Sequence, residues 1–310
     1  MIKNRAKLDL KDKFDEWEGW LLGDDVNSVR NQIHDMIWDT AVFLSINKAR
    51  EYAPKNKDGQ PELNGTVHHF INRCFLQTQL IAIRRLCDKE KSAGDRSVVS
   101  LYRLIRELEN NIDILTRKNV LGVLGYPYDY ANEENAILER INPLETALPE
   151  DYGKCVQSEG MHQNFDKLSE VTPDRRNPDD KIQPKIFEWL KNRLDECEKD
   201  ICSYVNKFLA HAATPESRRK YNADDIKITL GHILDAHKII CEITGFTMNI
   251  FNHSLGGFLP TPQFDQFEYF EKPCIAKNDL EKLYTFWNNY ANETEEWLNW
   301  DWASDFAKGS

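Results

Sequence analysis

The chain has 310 residues, 41% of them hydrophobic and 29% charged, and carries a formal net charge of −11. That length holds one large core, or a main domain with a smaller appendage, and that balance excludes a disordered polymer. The acidic surplus argues against broad, unspecific nucleic-acid binding but leaves room for a local basic site.

Residues 11–23 predict a short amphipathic helix carrying Phe14, Trp17, Trp20 and Leu21, broken by Gly23-Asp24-Asp25. A second helix is expected from about Val26 to Arg50, with apolar residues at Val26, Val29, Ile33, Ile37, Ala41 and Leu44. A polar loop over 53–65 leads to a third helix over about 66–90, where Val67, Ile71, Cys74, Thr78, Ile81 and Arg85 share a face. Ser97 or Ser100 is the expected cap of a fourth helix holding Leu101, Leu104, Ile105 and Leu108. Residues 113–180, rich in Pro, Asp, Asn and Tyr, read as an irregular insertion with a short helix near 133–141.

The strongest periodicity follows. From Lys181, the residues Ile182, Ile186, Leu190, Leu194, Cys197, Ile201, Val205 and Phe208 recur at steps of three and four. Thr214-Pro215 stops that helix, and Asn222-Ala223-Asp224-Asp225 is the expected cap of the next, which holds Leu230, Ile233, His237, Ile240, Thr244 and Met248. Two long helices so joined are expected to pack antiparallel. Residues 254–275 form an aromatic loop, and a last helix from Asn278-Asp279 carries Leu283, Trp287, Tyr290, Trp297 and Trp300. Docking of that helix on its own core is one expectation for it, and a surface for a partner is the other. With only 14 Gly and 12 Pro and no alternating strand pattern, the expected class is all-α. The expected architecture is a helical bundle over 1–253, interrupted at about 113–180, with 254–310 appended. No apolar run has the length of a signal peptide or a membrane span, so a cytoplasmic protein is expected.

His211 is the first candidate for chemistry. It continues the stripe of Tyr204 and Phe208 at a helix C-terminus, where the dipole favours an imidazolium and proton transfer near neutral pH. A plain capping role for His211 competes with that. Just beyond it, Ser217-Arg218-Arg219-Lys220-Tyr221 offers charge and a stacking ring for phosphate and base, or a solvated loop. His232, Asp235 and His237 are unsuited to one metal, because two histidines five residues apart point about 140° away from each other on a helix. His237 lies on the apolar stripe and reads as a satisfied core histidine. Of His68-His69, one is expected inward and one solvated. None of the seven cysteines has Cys-x-x-Cys spacing, so neither a metal nor another cofactor is expected.

The run Asn206-Lys207-Phe208-Leu209-Ala210-His211, with its polar loop and following helix, resembles the HEPN superfamily, most of all its abortive-infection-type members. Ile83-Arg84-Arg85-Leu86-Cys87-Asp88, followed by a loop and Ser100-Leu101-Tyr102-Arg103-Leu104-Ile105, is similar to the first half of such proteins. The likeness spans about 26–112 and 181–253. It implies metal-independent cleavage of RNA in prokaryotic defence, by a homodimer whose two motifs share a cleft, with an antitoxin as a further partner. By the same resemblance His211 moves protons as a ribose 2′-hydroxyl attacks, Asn206 is the polar neighbour of the family's arginine, and an arginine holds the phosphate. Here Val205, Asn206 and Lys207 occupy that arginine's usual place. The missing charge is then expected from Lys207, Arg218, Arg219, Arg84 or Arg85. The alternative is a catalytically inactive module of the same fold that binds RNA, a nucleotide or a protein, and a third is a scaffold that recruits partners through its aromatic tail.

Overall fold

The computed structural model describes residues 2–89, 98–139, 149–209, 214, 228–253, 264–272 and 277–298. Among them regular structure is helical, with no strand and only two isolated bridges, Lys55–Pro61 and Thr116–Lys181. No helix among the described residues is long and apolar enough to cross a membrane. The chain divides into Met1–Pro260 and Thr261–Ser310.

The first unit begins with α1 (Ile2–Leu22), which buries Leu10, Phe14, Trp17 and Leu21. Gly23 ends it: its amide bonds the Gly19 carbonyl, and a Cβ there would collide with that same oxygen. α2 (Val29–Glu51) starts three residues later than the expected Val26, because the Ser28 side chain accepts from the Asn31 amide and caps the helix. α3 (Gly65–Leu86) is capped by Asn64 in the same way. α4 (Leu101–Asn110) is capped by Ser100, the second of the two serines expected there, and it buries the four apolar residues predicted for it.

α8 (Pro184–Tyr204) runs through the core and buries Phe187, Leu190, Leu194, Cys197 and Ile201, each burial contributing roughly 1.5–3 kcal/mol for the larger side chains. α9 (Leu230–Ile250) packs on it antiparallel. Arg193 pairs with Glu242 at 2.7 Å, and Cys197 Sγ donates to the Ala236 carbonyl at 3.7 Å, so the numbering rises in one helix as it falls in the other. The expected cap for α9 at Asn222–Asp225 lies outside the described residues. The helix starts at Leu230 instead, where the Thr229 hydroxyl accepts from the His232 amide and His232 Nδ1 accepts from the Thr229 amide. His232 is thereby a capping residue.

Residues 113–180 are not an irregular insertion. They hold α5 (Arg117–Val123), α6 (Tyr130–Leu138) and the 20-residue α7 (Glu150–Ser169), and a 3-10 turn at Pro173–Arg175. α7 buries Cys155, Ser158, Met161, His162, Phe165, Leu168 and Ser169, a helical face on which three polar side chains interrupt the apolar ones. A buried arginine makes this possible. Arg117, wholly inaccessible, pairs with Asp166 at 2.9 Å and Asp180 at 2.9 Å, donates to the His162 carbonyl at 2.9 Å, and reaches Ser169 Oγ at 3.3 Å. Arg176 closes the cluster with three hydrogen bonds to the Asp166 carboxylate, two of them from Nε.

In the second unit, α10 (Leu280–Leu298) follows a 3-10 turn at Lys277–Asp279, as the Asn278-Asp279 start predicts. Leu283, Tyr284, Phe286, Trp287 and Tyr290 are exposed along it.

Candidate functional site

The last turn of α3 and the end of α8 meet at one pair of side chains. Arg84 Nε donates to Asn206 Oδ1 at 3.0 Å, bridging residues 122 positions apart in sequence. Asp88 lies on the other side of the guanidinium, 3.4 Å from Nη1. Arg84 is half-buried, so its charge is neither fully screened nor fully desolvated. It also sits in the last turn of its own helix, where the unpaired carbonyls favour a cation.

α8 changes character where it meets Arg84. After Tyr204 the backbone becomes a π-helix, Val205–Leu209, a wider turn that is rare and recurs at functional sites. Asn206 is presented from this turn. The wider turn also ends the α-helical spacing at Tyr204. The Tyr204 and Phe208 rings still meet, with centroids 5.0 Å apart, and His211, expected on the same face, lies outside the described residues.

Other basic side chains gather at the α3–α4 connection. Arg103 lies over the Trp20 ring at 4.1 Å and donates to the Val98 carbonyl, while Arg106 donates to the Lys89 carbonyl. The Ser100 hydroxyl donates to the Asp88 carbonyl at 2.7 Å, so the cap of α4 also fixes the segment that carries Asp88.

Of the residues singled out in the sequence, Arg84 and Asn206 come together. Arg85 does not join them: it is exposed and its guanidinium donates to Asn27 Oδ1 at the start of α2. The Lys207 backbone lies in the π turn. His211, Arg218, Arg219 and the Lys207 side chain lie outside the described residues. His68, half-buried, accepts from Arg50 Nε at 2.9 Å, and His69 is exposed, as expected of that pair. His237 is buried but not satisfied: among the described residues its Nε2 has no hydrogen-bond partner, and burial pushes its pKa down to about 4. Among the described residues no group of three or more His, Cys, Asp or Glu is arranged to hold a metal.

Sequence reasoning missed the Arg117 cluster. The partners of Arg117 lie 45–63 residues from it, and no spacing rule connects them to it. Burial and the two arginines push the His162 imidazole below its usual pKa despite a bond to the Tyr128 carbonyl. Burial raises the Asp166 carboxyl, but Arg176 and Arg117 outweigh it and the net shift is downward. With Arg117 wholly inaccessible, this cluster joins α5 to α7 and offers no open face to a ligand. No family model, curated protein or solved structure matches the chain.

Proposed function

We propose that the protein is a HEPN-like RNA-cleaving protein of the prokaryotic defence or toxin type, with Arg84 supplying the guanidinium that the family places beside its histidine. The observation that carries this is the Arg84–Asn206 bond. The family's motif needs an arginine next to the polar residue that precedes the histidine. In this chain the polar residue is Asn206, and the arginine reaches it from α3 instead of from the same helix. His211 follows Asn206 by five residues.

In this mechanism Arg84 binds the non-bridging oxygens of the scissile phosphate, and Asn206 fixes the guanidinium plane. His211 takes the proton of the ribose 2′-hydroxyl as that oxygen attacks phosphorus. The 5′-oxygen of the next nucleotide leaves and is protonated, giving a 2′,3′-cyclic phosphate and a 5′-hydroxyl. The guanidinium carries the positive charge a metal would otherwise bring, so cleavage is expected to persist in chelator. A homodimer, a restraining protein partner and a cytoplasmic place of action belong to the same proposal.

The test uses the full chain on a mixed single-stranded RNA with chelator present. Wild type is expected to cleave it, His211→Ala to lose activity at least a hundredfold, and Arg84→Lys to lose it nearly as far, because an ammonium cannot make the two-pronged contact. Absence of cleavage by wild type, or unchanged cleavage by His211→Ala, rejects the reading. Arg84 already has Asp88 as a neighbouring carboxylate, which competes with a phosphate. That favours a second reading, a non-catalytic RNA- or nucleotide-binding module, for which binding without cleavage is the expected result.

A further inference from the structure

α3 has two apolar faces, and only one of them is in the core. Leu80, Ile83 and Leu86 are inaccessible, whereas Val67 is 49% exposed and Ile81 43%. α2 lies antiparallel beside it, with Arg50 bonded to His68 at one end and Arg85 bonded to Asn27 at the other. Between the two helices runs an open cavity of about 470 Å³, within the roughly 300–1,000 Å³ of small-molecule sites. At its centre the Phe43 and Phe75 rings stack with centroids 3.7 Å apart. Trp38, Asp39 and Thr78 line one end and Phe70 the other. Asp39 lies a turn before Phe43 on α2 and Thr78 a turn after Phe75 on α3, which in antiparallel helices is the same end.

Among the described residues that line this cavity, Asp39 alone is charged. It has no hydrogen bond or ion pair among the described residues, and burial and the neighbouring Asp35 both raise its pKa. Asp35, one turn further out, meets His34 at 3.6 Å. Arg50 and Arg73 stand over the Phe43 and Phe70 rings at 6.0 and 5.7 Å without lining the cavity. This arrangement selects an occupant by charge as well as by shape. A phosphate or carboxylate there meets two like charges. A neutral apolar molecule covers Asp39 and leaves its carboxylate short of water with no partner, which costs free energy. A cation on an apolar body offsets that cost. Its ammonium pairs with Asp39 beside the Trp38 ring, and its body covers the Phe43, Phe75 and Phe70 rings.

We infer that the α2–α3 cavity binds a small organic cation, an aromatic amine whose ammonium sits on Asp39 and whose ring lies against the Phe43–Phe75 stack. Arg84 lies about 120° around α3 from Thr78, so this cavity is separate from the Arg84–Asn206 site. The inference does not rest on RNA cleavage.

The test is isothermal titration calorimetry of the full chain at neutral pH, with folding of every variant checked by circular dichroism. The probe is 1-naphthylmethylamine, and its control is 1-naphthylmethanol, which has the same rings and no charge. The amine is expected to saturate below about 1 mM and to bind about tenfold tighter than the alcohol. Asp39→Asn is expected to bring the amine down to the affinity of the alcohol. Asp58→Asn removes the same charge from the exposed turn between α2 and α3 and is expected to change nothing. Phe70→Ala, at a 55% exposed ring, is expected to weaken both probes. An amine that does not saturate, or that binds no tighter than the alcohol, overturns the inference. So does a preference that survives Asp39→Asn. An equal loss in Asp58→Asn also overturns it, because the net charge of −11 would then be attracting the cation without a site.

Discussion

His237 is 6% exposed on α9, and its buried Nε2 has no hydrogen-bond partner among the described residues. A buried imidazole resists protonation, and its pKa falls from the usual 6.5 to about 4. The unfolded chain therefore takes up this proton first as pH drops. Stability from the neutral imidazole is fully present above about pH 6.5 and is lost progressively as pH falls toward 4. The gap between those values corresponds to about 3 kcal/mol. His162, also held below its ordinary pKa, acts in the same direction. Urea titrations between pH 7 and 4.5 are expected to show this decline, and His237→Leu is expected to flatten it. A variant whose profile runs parallel to wild type removes His237 as the cause. The sequence placed His237 on the apolar stripe and so predicted its burial. It could not predict the missing partner, because that depends on which backbone groups of other helices come within reach.

At the scale of elements, α7 shows how a helix escapes notice. Two glycines, Gly153 and Gly160, dilute its helical propensity, and its inward face mixes Ser158, His162 and Ser169 with Cys155, Met161, Phe165 and Leu168. α8 was legible because Leu190, Leu194, Cys197 and Ile201 contrast with charged neighbours. What lets the polar face of α7 be buried is Arg117, whose guanidinium joins α5 to Asp166 of α7 and to Asp180 beyond it. Replacing it with Met leaves Asp180 without its cation and Asp166 with Arg176 alone. Breaking a buried pair from one side costs about 3–5 kcal/mol. Arg117→Met is expected to lose that much in chemical denaturation and to expose the 113–180 segment to limited proteolysis while the α8–α9 pair persists. A loss below about 1 kcal/mol means the cluster is no staple. The candidate site divides the same way. Asn206 and Arg84 were each visible as members of short motifs, but their contact needed the packing of α3 on α8, and the π turn that presents Asn206 has no sequence signature.

For the whole molecule, a charge of −11 repels RNA at long range, so any binding must rest on a few local cations. Among the described residues, Arg84, Arg103 and Arg106 are arginines whose hydrogen bonds lie around the α3–α4 connection. Each phosphate contact on a single strand contributes about 0.7 to the slope of log K against log salt, so three give roughly −2. That is shallow compared with proteins that spread a basic surface over many phosphates. Fluorescence anisotropy with a labelled single-stranded RNA, read between about 50 and 200 mM salt, is expected to return this slope. Arg84→Ala is expected to reduce it by about one contact. A slope near −5 or steeper would require a large basic surface, which the acidic composition opposes. A slope near zero would mean that the arginines do not touch phosphate and that Arg84 serves only to hold Asn206 and Asp88, which removes the guanidinium from the proposed chemistry.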